Sequence, residues 1–362
     1  MSTRPTVVIA MSGGVDSSVA AALLVEQGYS VIGIMLHLWS EQVADRANRC
    51  CTTDSIATAR QVASILSIPF YVLDARKIFY NAVVTPFIND YAHNLTPNPC
   101  ISCNRAVRWG YLFNHTLAAG AHFLATGHYA RLNLSDDHSF QLLCGLDSAK
   151  DQSYVLHVLS QRQLSHAQFP LGEYSKQQVR QLAHNFNLPV AEQPDSQDLC
   201  FVGDSGDYRG FLLRHAPQIL APGKIIDPDG RILGYHQGLA NYTIGQRKGL
   251  GIASSTPCYV LEKNSINNTL KVGSHANSGS RQLIASCVNW IAGKAPSAPF
   301  NAWVKIRYKA QPLPCLVEPL NPTTICVRFA DPVRDITPGQ AAVLYNGEVC
   351  LGGGIISNDL VN

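Results

Sequence analysis

The run Thr6-Val7-Val8-Ile9-Ala10, continuing into Met11-Ser12-Gly13-Gly14-Val15-Asp16-Ser17-Ser18, decides the fold of this 362-residue chain. An apolar run that breaks at a Gly-rich turn and passes into a periodic segment, Val19 to Gln27, reads as strand, turn and helix. The N–H groups at such a helix start have no partner inside the helix and point into the turn, so the turn is an anion site. Gly13 and Gly14 let the backbone approach closely and take positive φ. Ser12, Ser17 and Ser18 add hydroxyl donors, and Asp16 can recruit Mg2+. The anion expected is a phosphate. An ordinary Gly turn capped by Ser is the alternative.

The turn has neither the Gly-x-x-x-x-Gly-Lys-Ser/Thr of a Walker A loop nor the Gly-x-Gly-x-x-Gly of a Rossmann turn. It resembles the Ser-Gly-Gly-x-Asp-Ser loop of the PP-loop ATP pyrophosphatases. That resemblance implies ATP cleavage between the α and β phosphates, with AMP passed to a carbonyl oxygen. It also implies nucleotide contacts along Ala10, Met11, Ser12, Gly13, Gly14, Val15, Asp16 and Ser17.

Downstream, the periodic segment stops at Gly28 and Val31 to Leu36 reads as a second strand. Asp54 can cap a helix through Leu66, Phe70 to Leu73 is a third strand, and Phe123 to Thr126 is a fourth that ends at Gly127-His128. Strands alternating with helices predict an α/β fold with a doubly wound parallel sheet. Ligands then lie beyond the carboxyl ends of the strands, which gathers Ser12 to Ser18, Met35 and Gly127-His128. Met35 and Gly127 would flank an adenine; plain core packing is the other reading of Met35. From Gln152 to Leu188 two helical patterns read as an appendage on this domain.

Beyond about Asp204 the texture changes to short β runs between Gly, Pro and Asn turns. The length predicts two or three domains, divided here into a catalytic unit 1–205, a small β-rich central module 206–275 and a C-terminal β-barrel 276–362. Composition, at 46% apolar and 15% charged residues, describes a folded protein, and no apolar run reaches the roughly 18 residues that span a bilayer. The N-terminus lacks a signal-peptide h-region, so a cytoplasmic address without a membrane partner is expected. A net charge of +3 permits a nucleic-acid partner without requiring one.

Eleven cysteines in a reducing compartment argue for reactive or metal-binding thiols rather than a disulfide framework. Cys100-Ile101-Ser102-Cys103 follows the Pro-rich Thr96-Pro97-Asn98-Pro99 and precedes a helix expected to begin near Asn104. The start of that helix would stabilise Cys103 as a thiolate nucleophile. A zinc site wants a second Cys-x-x-Cys, and none exists; Cys50-Cys51 lacks chelate spacing. Taken alone, Cys200 beside Phe201 reads as packing.

Four motifs change that reading. They are Pro97-Asn98-Pro99-Cys100-x-x-Cys103-Asn104, Lys150-Asp151-Gln152-Ser153-Tyr154, Ser196-Gln197-Asp198-Leu199-Cys200-Phe201 and Tyr242-Thr243-Ile244-Gly245-Gln246-Arg247-Lys248-Gly249-Leu250-Gly251. Together they resemble the bacterial tRNA-specific 2-thiouridylases, nearly end to end. The resemblance implies a catalytic pair Cys103 and Cys200, a wobble uridine of tRNA as target and a sulfur-donor protein that carries a persulfide. It implies tRNA contacts at His128, Lys150, Asp151, Gln152, Arg307, Tyr308 and Gln340; Arg307 and Lys309 equally suit a solvated barrel face. A stacked anticodon base would have to be extruded to reach the cleft.

One departure is Cys100, where some members place an Asp assigned to the target base. In this chain Cys100, Cys103 and Cys200 instead offer three thiolates for an iron–sulfur cluster, so two sulfur routes stay open at this point: a Cys200 persulfide resolved by Cys103 into a disulfide, or a cluster fed by inorganic sulfide. A rival of another class is a PP-loop amide synthetase acting on a small carboxylate. That reading explains the loop and leaves the thiols idle. A tRNA-binding protein without catalysis would leave both idle.

Overall fold

The computed structural model describes residues 4–41, 53–194, 199–202, 207–254, 256–274 and 279–358. Cys50, Cys51 and the stretch from Asp195 to Asp198 lie outside the described residues.

The apolar run forms β1 (Thr6–Met11), flanked by β2 (Ser30–His37) and β4 (Phe123–Thr126), with β3 (Phe70–Asp74) at the edge beside β2. All pair in parallel, with Val7 opposite Val31 on one side and Phe123 on the other. Val7, Val8 and Ile9 are buried, as expected of a central strand covered on both faces. The chain winds outward from β1 to β3 and then returns to the other side of β1 for β4. The crevice of this sheet therefore opens between the carboxyl ends of β1 and β4.

Helix α1 (Val15–Glu26) covers the sheet and ends where the sequence places its stop. Tyr29 N–H reaches Leu24 O at 3.1 Å and Gly28 N–H reaches Val25 O at 3.0 Å, while Gly28 sits at φ +86°, the left-handed closure that glycine adopts without strain.

Between the two helical patterns after Gln152 the structure holds β7 (Ala167–Gln168), a fifth parallel strand beside β4, so the segment is more than a helical appendage. Two paired residues carry no readable periodicity. A hairpin, β5 (Ala130–Leu134) and β6 (Phe140–Cys144), leaves the parallel sheet altogether.

The central module is a four-stranded sheet of β8 (Gly223–Ile226), β9 (Ile232–His236), β10 (Tyr259–Asn264) and β11 (Thr269–Gly273), in the order β10-β11-β8-β9. Six C-terminal strands, β12 (Ser280–Trp290), β13 (Phe300–Lys305), β14 (Leu313–Asn321), β15 (Thr324–Val333), β16 (Ala341–Asn346) and β17 (Val349–Ile356), form an antiparallel sheet that closes through β12 and β17. Closure removes the exposed edges an open sheet would leave.

The hairpin joins that barrel: Leu142 and Leu143 of β6 pair with Cys350 and Val349 of β17. One apolar cluster accordingly runs from Phe79, Trp109 and Leu156 to Val343 and Cys350, welding the parallel-sheet unit to the barrel. Among the described residues no helix is long and apolar enough to cross a membrane.

Candidate active site

At the end of β1 the chain turns through Gly13, at φ +78°, where a Cβ would lie 2.6 Å from Ser55 O. Gly14 then caps α1 in extended conformation without a side-chain hydrogen bond, so the first N–H groups of the helix open into the cleft. Ser17 Oγ lies 3.2 Å from Ser12 Oγ and donates to Gly14 O at 3.2 Å, which curls the loop around those N–H groups. Ser18 is fully buried and donates to Gly14 O at 2.9 Å, a brace for the turn rather than part of the cleft lining.

Asp16 shows what the sequence alone did not reveal. Its Oδ1 accepts from Tyr129 Oη at 2.8 Å and from Lys176 Nζ at 2.6 Å. Tyr129 follows β4, and Lys176 opens the helix Lys176–Asn185, which Ser175 and Gln178 cap reciprocally. The signal available was that capping box, which places Lys176 at a helix start; its meeting with Asp16 is a tertiary event.

Gly127 lies where β4 meets α1: a Cβ there would stand 2.8 Å from Ser17 N and 2.9 Å from Asp16 C. Real Cβ atoms do not approach backbone so closely, so Gly127→Ala must push α1 away from the sheet. We expect it to lower stability by about 1–3 kcal/mol and nucleotide affinity at least tenfold, roughly. Thermal unfolding with and without ATP checks this, and an unchanged ATP-induced shift contradicts it.

The cleft has a volume of about 500 Å³ and is lined by the loop, by Gly127 and His128, by Cys103 and Cys200, and by Lys150, Gln152 and Tyr308. Met35 is 1% exposed and packs in the core beneath α1, while Leu36 and Leu38 line the cleft. Gln152 Oε1 also holds Tyr129 N–H at 3.0 Å.

Asp151, Arg307 and Gln340, expected RNA contacts, tie separate parts of the chain together. Asp151 is buried, accepts from Gly145 N–H and Ser153 N–H, each at 3.1 Å, and pairs with Lys305 of the barrel at 3.2 Å. Arg307 donates to Ile244 O and Asp335 O, each at 2.9 Å, and to Thr337 Oγ1 at 2.8 Å, tying the barrel to the central module. Gln340 Nε2 donates to Thr96 O at 2.8 Å, at the loop that leads to Cys100.

That loop ends sooner than its prolines suggest. The helix begins at Pro99, not near Asn104, because Asn98 Oδ1 accepts Cys100 N–H at 3.1 Å and Pro99 suits the first helical position. The helix start therefore lies one turn before Cys103, and the helix-start argument for a Cys103 thiolate does not hold. Cys100 is exposed, Cys103 buried and Cys200 half-buried. Among the described residues no three His, Cys, Asp or Glu side chains are gathered closely enough to hold a metal ion. Of the three cysteines, Cys103 and Cys200 line the cleft and Cys100 does not.

His128 Nδ1 lies 2.7 Å from Thr126 Oγ1, and burial, then the Arg108 charge, push its pKa from 6.5 down to about 3. His157, beneath the barrel, is pushed down to about 4, chiefly by burial. Both are neutral in the fold, whereas the unfolded chain protonates them near pH 6.5. The unfolded state thus binds more protons below that pH, so stability is full above about 6.5 and falls as pH drops toward 4 and 3. We expect a loss of about 2 kcal/mol per histidine at pH 5. Melting temperatures from pH 7 to 4.5 check this; a flat profile would contradict it.

Comparison with known proteins adds the following. A family model described as a tRNA methyl transferase HUP domain matches residues 5–204. A tRNA methyl transferase PRC-barrel domain matches 209–274, and an aminomethyltransferase beta-barrel domain matches 280–356. The tRNA-specific 2-thiouridylase MnmA of Magnetococcus marinus is 49% identical over 358 residues, 98% of this chain and 99% of that protein. The tRNA-specific 2-thiouridylase MnmA of Carboxydothermus hydrogenoformans is 45% identical, across 99% of each chain. MnmA 2 of Thermoanaerobacter pseudethanolicus is 43% identical, across 99% of this chain and all of that protein.

Proposed function

The chain belongs to the family of tRNA-specific 2-thiouridylases, and on that premise we propose that it uses ATP to replace the C2 oxygen of the wobble uridine of tRNA by sulfur. The observation that carries this reading is that the Ser12–Ser17 loop, Cys103 and Cys200 line one cleft. A small-carboxylate amide synthetase has no use for two thiols there.

A carbonyl oxygen is a poor leaving group, so the first step converts it to one. The uracil O2 attacks the α-phosphorus, the bond to the β-phosphate breaks, and pyrophosphate leaves with the electron pair while N3 gives up its proton. The N–H groups at the start of α1 receive the charge that develops on pyrophosphate. Asp16 is the carboxylate at the cleft, so it would be the protein ligand of a Mg2+ carried by ATP, which neutralises phosphate charge.

Sulfur delivery then uses both thiols. The terminal sulfur of a Cys200 persulfide, loaded by a donor protein, attacks C2 and AMP leaves. The Cys103 thiolate attacks Cys200 Sγ; the S–S bond breaks, its electron pair stays on the sulfur at C2, and N3 regains a proton. The sulfane sulfur is reduced, the two cysteines are oxidised to a disulfide, and an external thiol reductant resets them.

The test is purified protein with ATP, tRNA and a persulfide-carrying donor. Pyrophosphate release that requires tRNA, together with 2-thiouridine in the digested product, supports the reading. Pyrophosphate release driven by a small carboxylate and ammonia without RNA would replace it.

A further inference from the structure

The helix that carries Cys103 is not an ordinary α-helix. From Cys103 to Leu112 it is a π-helix, set between the α-helical segments Pro99–Ser102 and Phe113–Ala118. Its i→i+5 bonding stacks residues five apart on one face, whereas at about 100° per residue in an α-helix they would diverge by about 140°. Gly110 accommodates the wider turn: a Cβ there would meet Arg105 O at 3.0 Å. Cys103 and Arg108 are five apart, and both line the cleft.

Arg108 is also held in place. Its Nη1 donates to Asn104 Oδ1 at 3.3 Å, and the fully buried Asn104 donates through Nδ2 to Val155 O at 3.3 Å. From the thiol-bearing helix its charge reaches His128, the residue after Gly127, which packs on the start of α1. Arg108 therefore shares one cleft with the phosphate loop and the thiols. Among the described residues the lining carries Arg108, Lys150 and Lys309 against one carboxylate, Asp16, whose Oδ1 takes Lys176 and Tyr129.

We propose that Arg108 is a catalytic residue of adenylation, its guanidinium binding the α-phosphate of the nucleotide as AMP passes to the base. This rests on the function proposed above. If the β and γ phosphates sit in the loop and the acceptor base sits by the thiols, the α-phosphate lies between them, in the cleft that Arg108 lines. A guanidinium gives that phosphate two parallel donors and stays charged at any working pH, so it serves both substrate and transition state.

The experiment compares AMP with adenosine, which differ only in that phosphate. Arg108→Gln should weaken AMP binding about 10- to 100-fold and leave adenosine binding within about twofold, adenosine serving as the control for folding. In the same variant tRNA-dependent pyrophosphate release should fall at least ~100-fold. If AMP binding is unchanged while adenosine binding holds, the proposal is overturned. Should the glutamine variant lose adenosine binding, Arg108→Lys decides: it keeps the charge and loses the fork, so a several-fold loss for AMP alone supports the contact and no change refutes it. Absence of tRNA-dependent pyrophosphate release by the unaltered protein would count against the proposed function instead, and the AMP-to-adenosine comparison stays readable without it.

Discussion

Cys200→Ser should form no 2-thiouridine, a loss of at least ~10³-fold, while still releasing pyrophosphate in a tRNA-dependent first turnover. Activation precedes sulfur transfer, and the nucleotide loop takes no part in this thiol's task. Cys103→Ser should also fail to thiolate, but for a different reason. Without the resolving thiol, the persulfide sulfur stays bonded to both Cys200 and C2, so a protein–tRNA adduct should accumulate that dithiothreitol cleaves. Gel shift with and without reductant separates the two variants. Thiolated tRNA from Cys200→Ser would remove that residue from the mechanism, and an adduct formed by Cys200→Ser would reverse the roles.

The second large effect is expected at Asp16. Asp16→Asn keeps the shape of the side chain and removes the charge that meets Lys176 at 2.6 Å and faces the nucleotide. Pyrophosphate release should fall about 100- to 1,000-fold, with tRNA affinity within about twofold of the parent, because the residue acts on phosphate and not on RNA. Lys176→Met should give a smaller loss in the same direction, by leaving the carboxylate to compete with the phosphates for the positive field of the helix start. Steady-state release assays and filter binding measure both. Release from Asp16→Asn at the parent rate would sink the assignment of this loop to ATP.

The fate of Asp151, Arg307 and Gln340 bears on how RNA is held. Each joins two parts of the chain: Asp151 to Lys305, Arg307 to Ile244 and Gln340 to Thr96. Lys305 also lies 5.2 Å from the Tyr345 ring centroid, so the Asp151 pair sits in a partly buried seam between the catalytic unit and the barrel. Removing one partner of such a pair leaves a costly charge, and the effect on RNA would then arrive through domain placement. Of the other expected RNA contacts, His128, Lys150, Gln152 and Tyr308 line the cleft.

By itself the sequence determined what is local. The run Thr6–Met11, the glycines of the turn and the periodicity after Val19 specify strand, loop and helix within some twenty neighbouring residues, and β-branched parallel strands announce the sheet they join. Gly127 was legible as the end of a strand; that it is glycine because α1 packs 2.8 Å from where a Cβ would stand was not. The catalytic pairing of Cys103 with Cys200 came from family resemblance, since no spacing rule connects two thiols that far apart.

Tertiary structure decided the rest, and for one reason: these contacts join elements distant in the chain, and side-chain type alone does not choose a partner. It set Lys176 and Tyr129 on Asp16, and carried the hairpin β5–β6 into the barrel. It moved the helix start to Pro99, and widened the next turns so that Arg108 came round to the face of Cys103, a change of backbone hydrogen bonding that no hydrophobic period records.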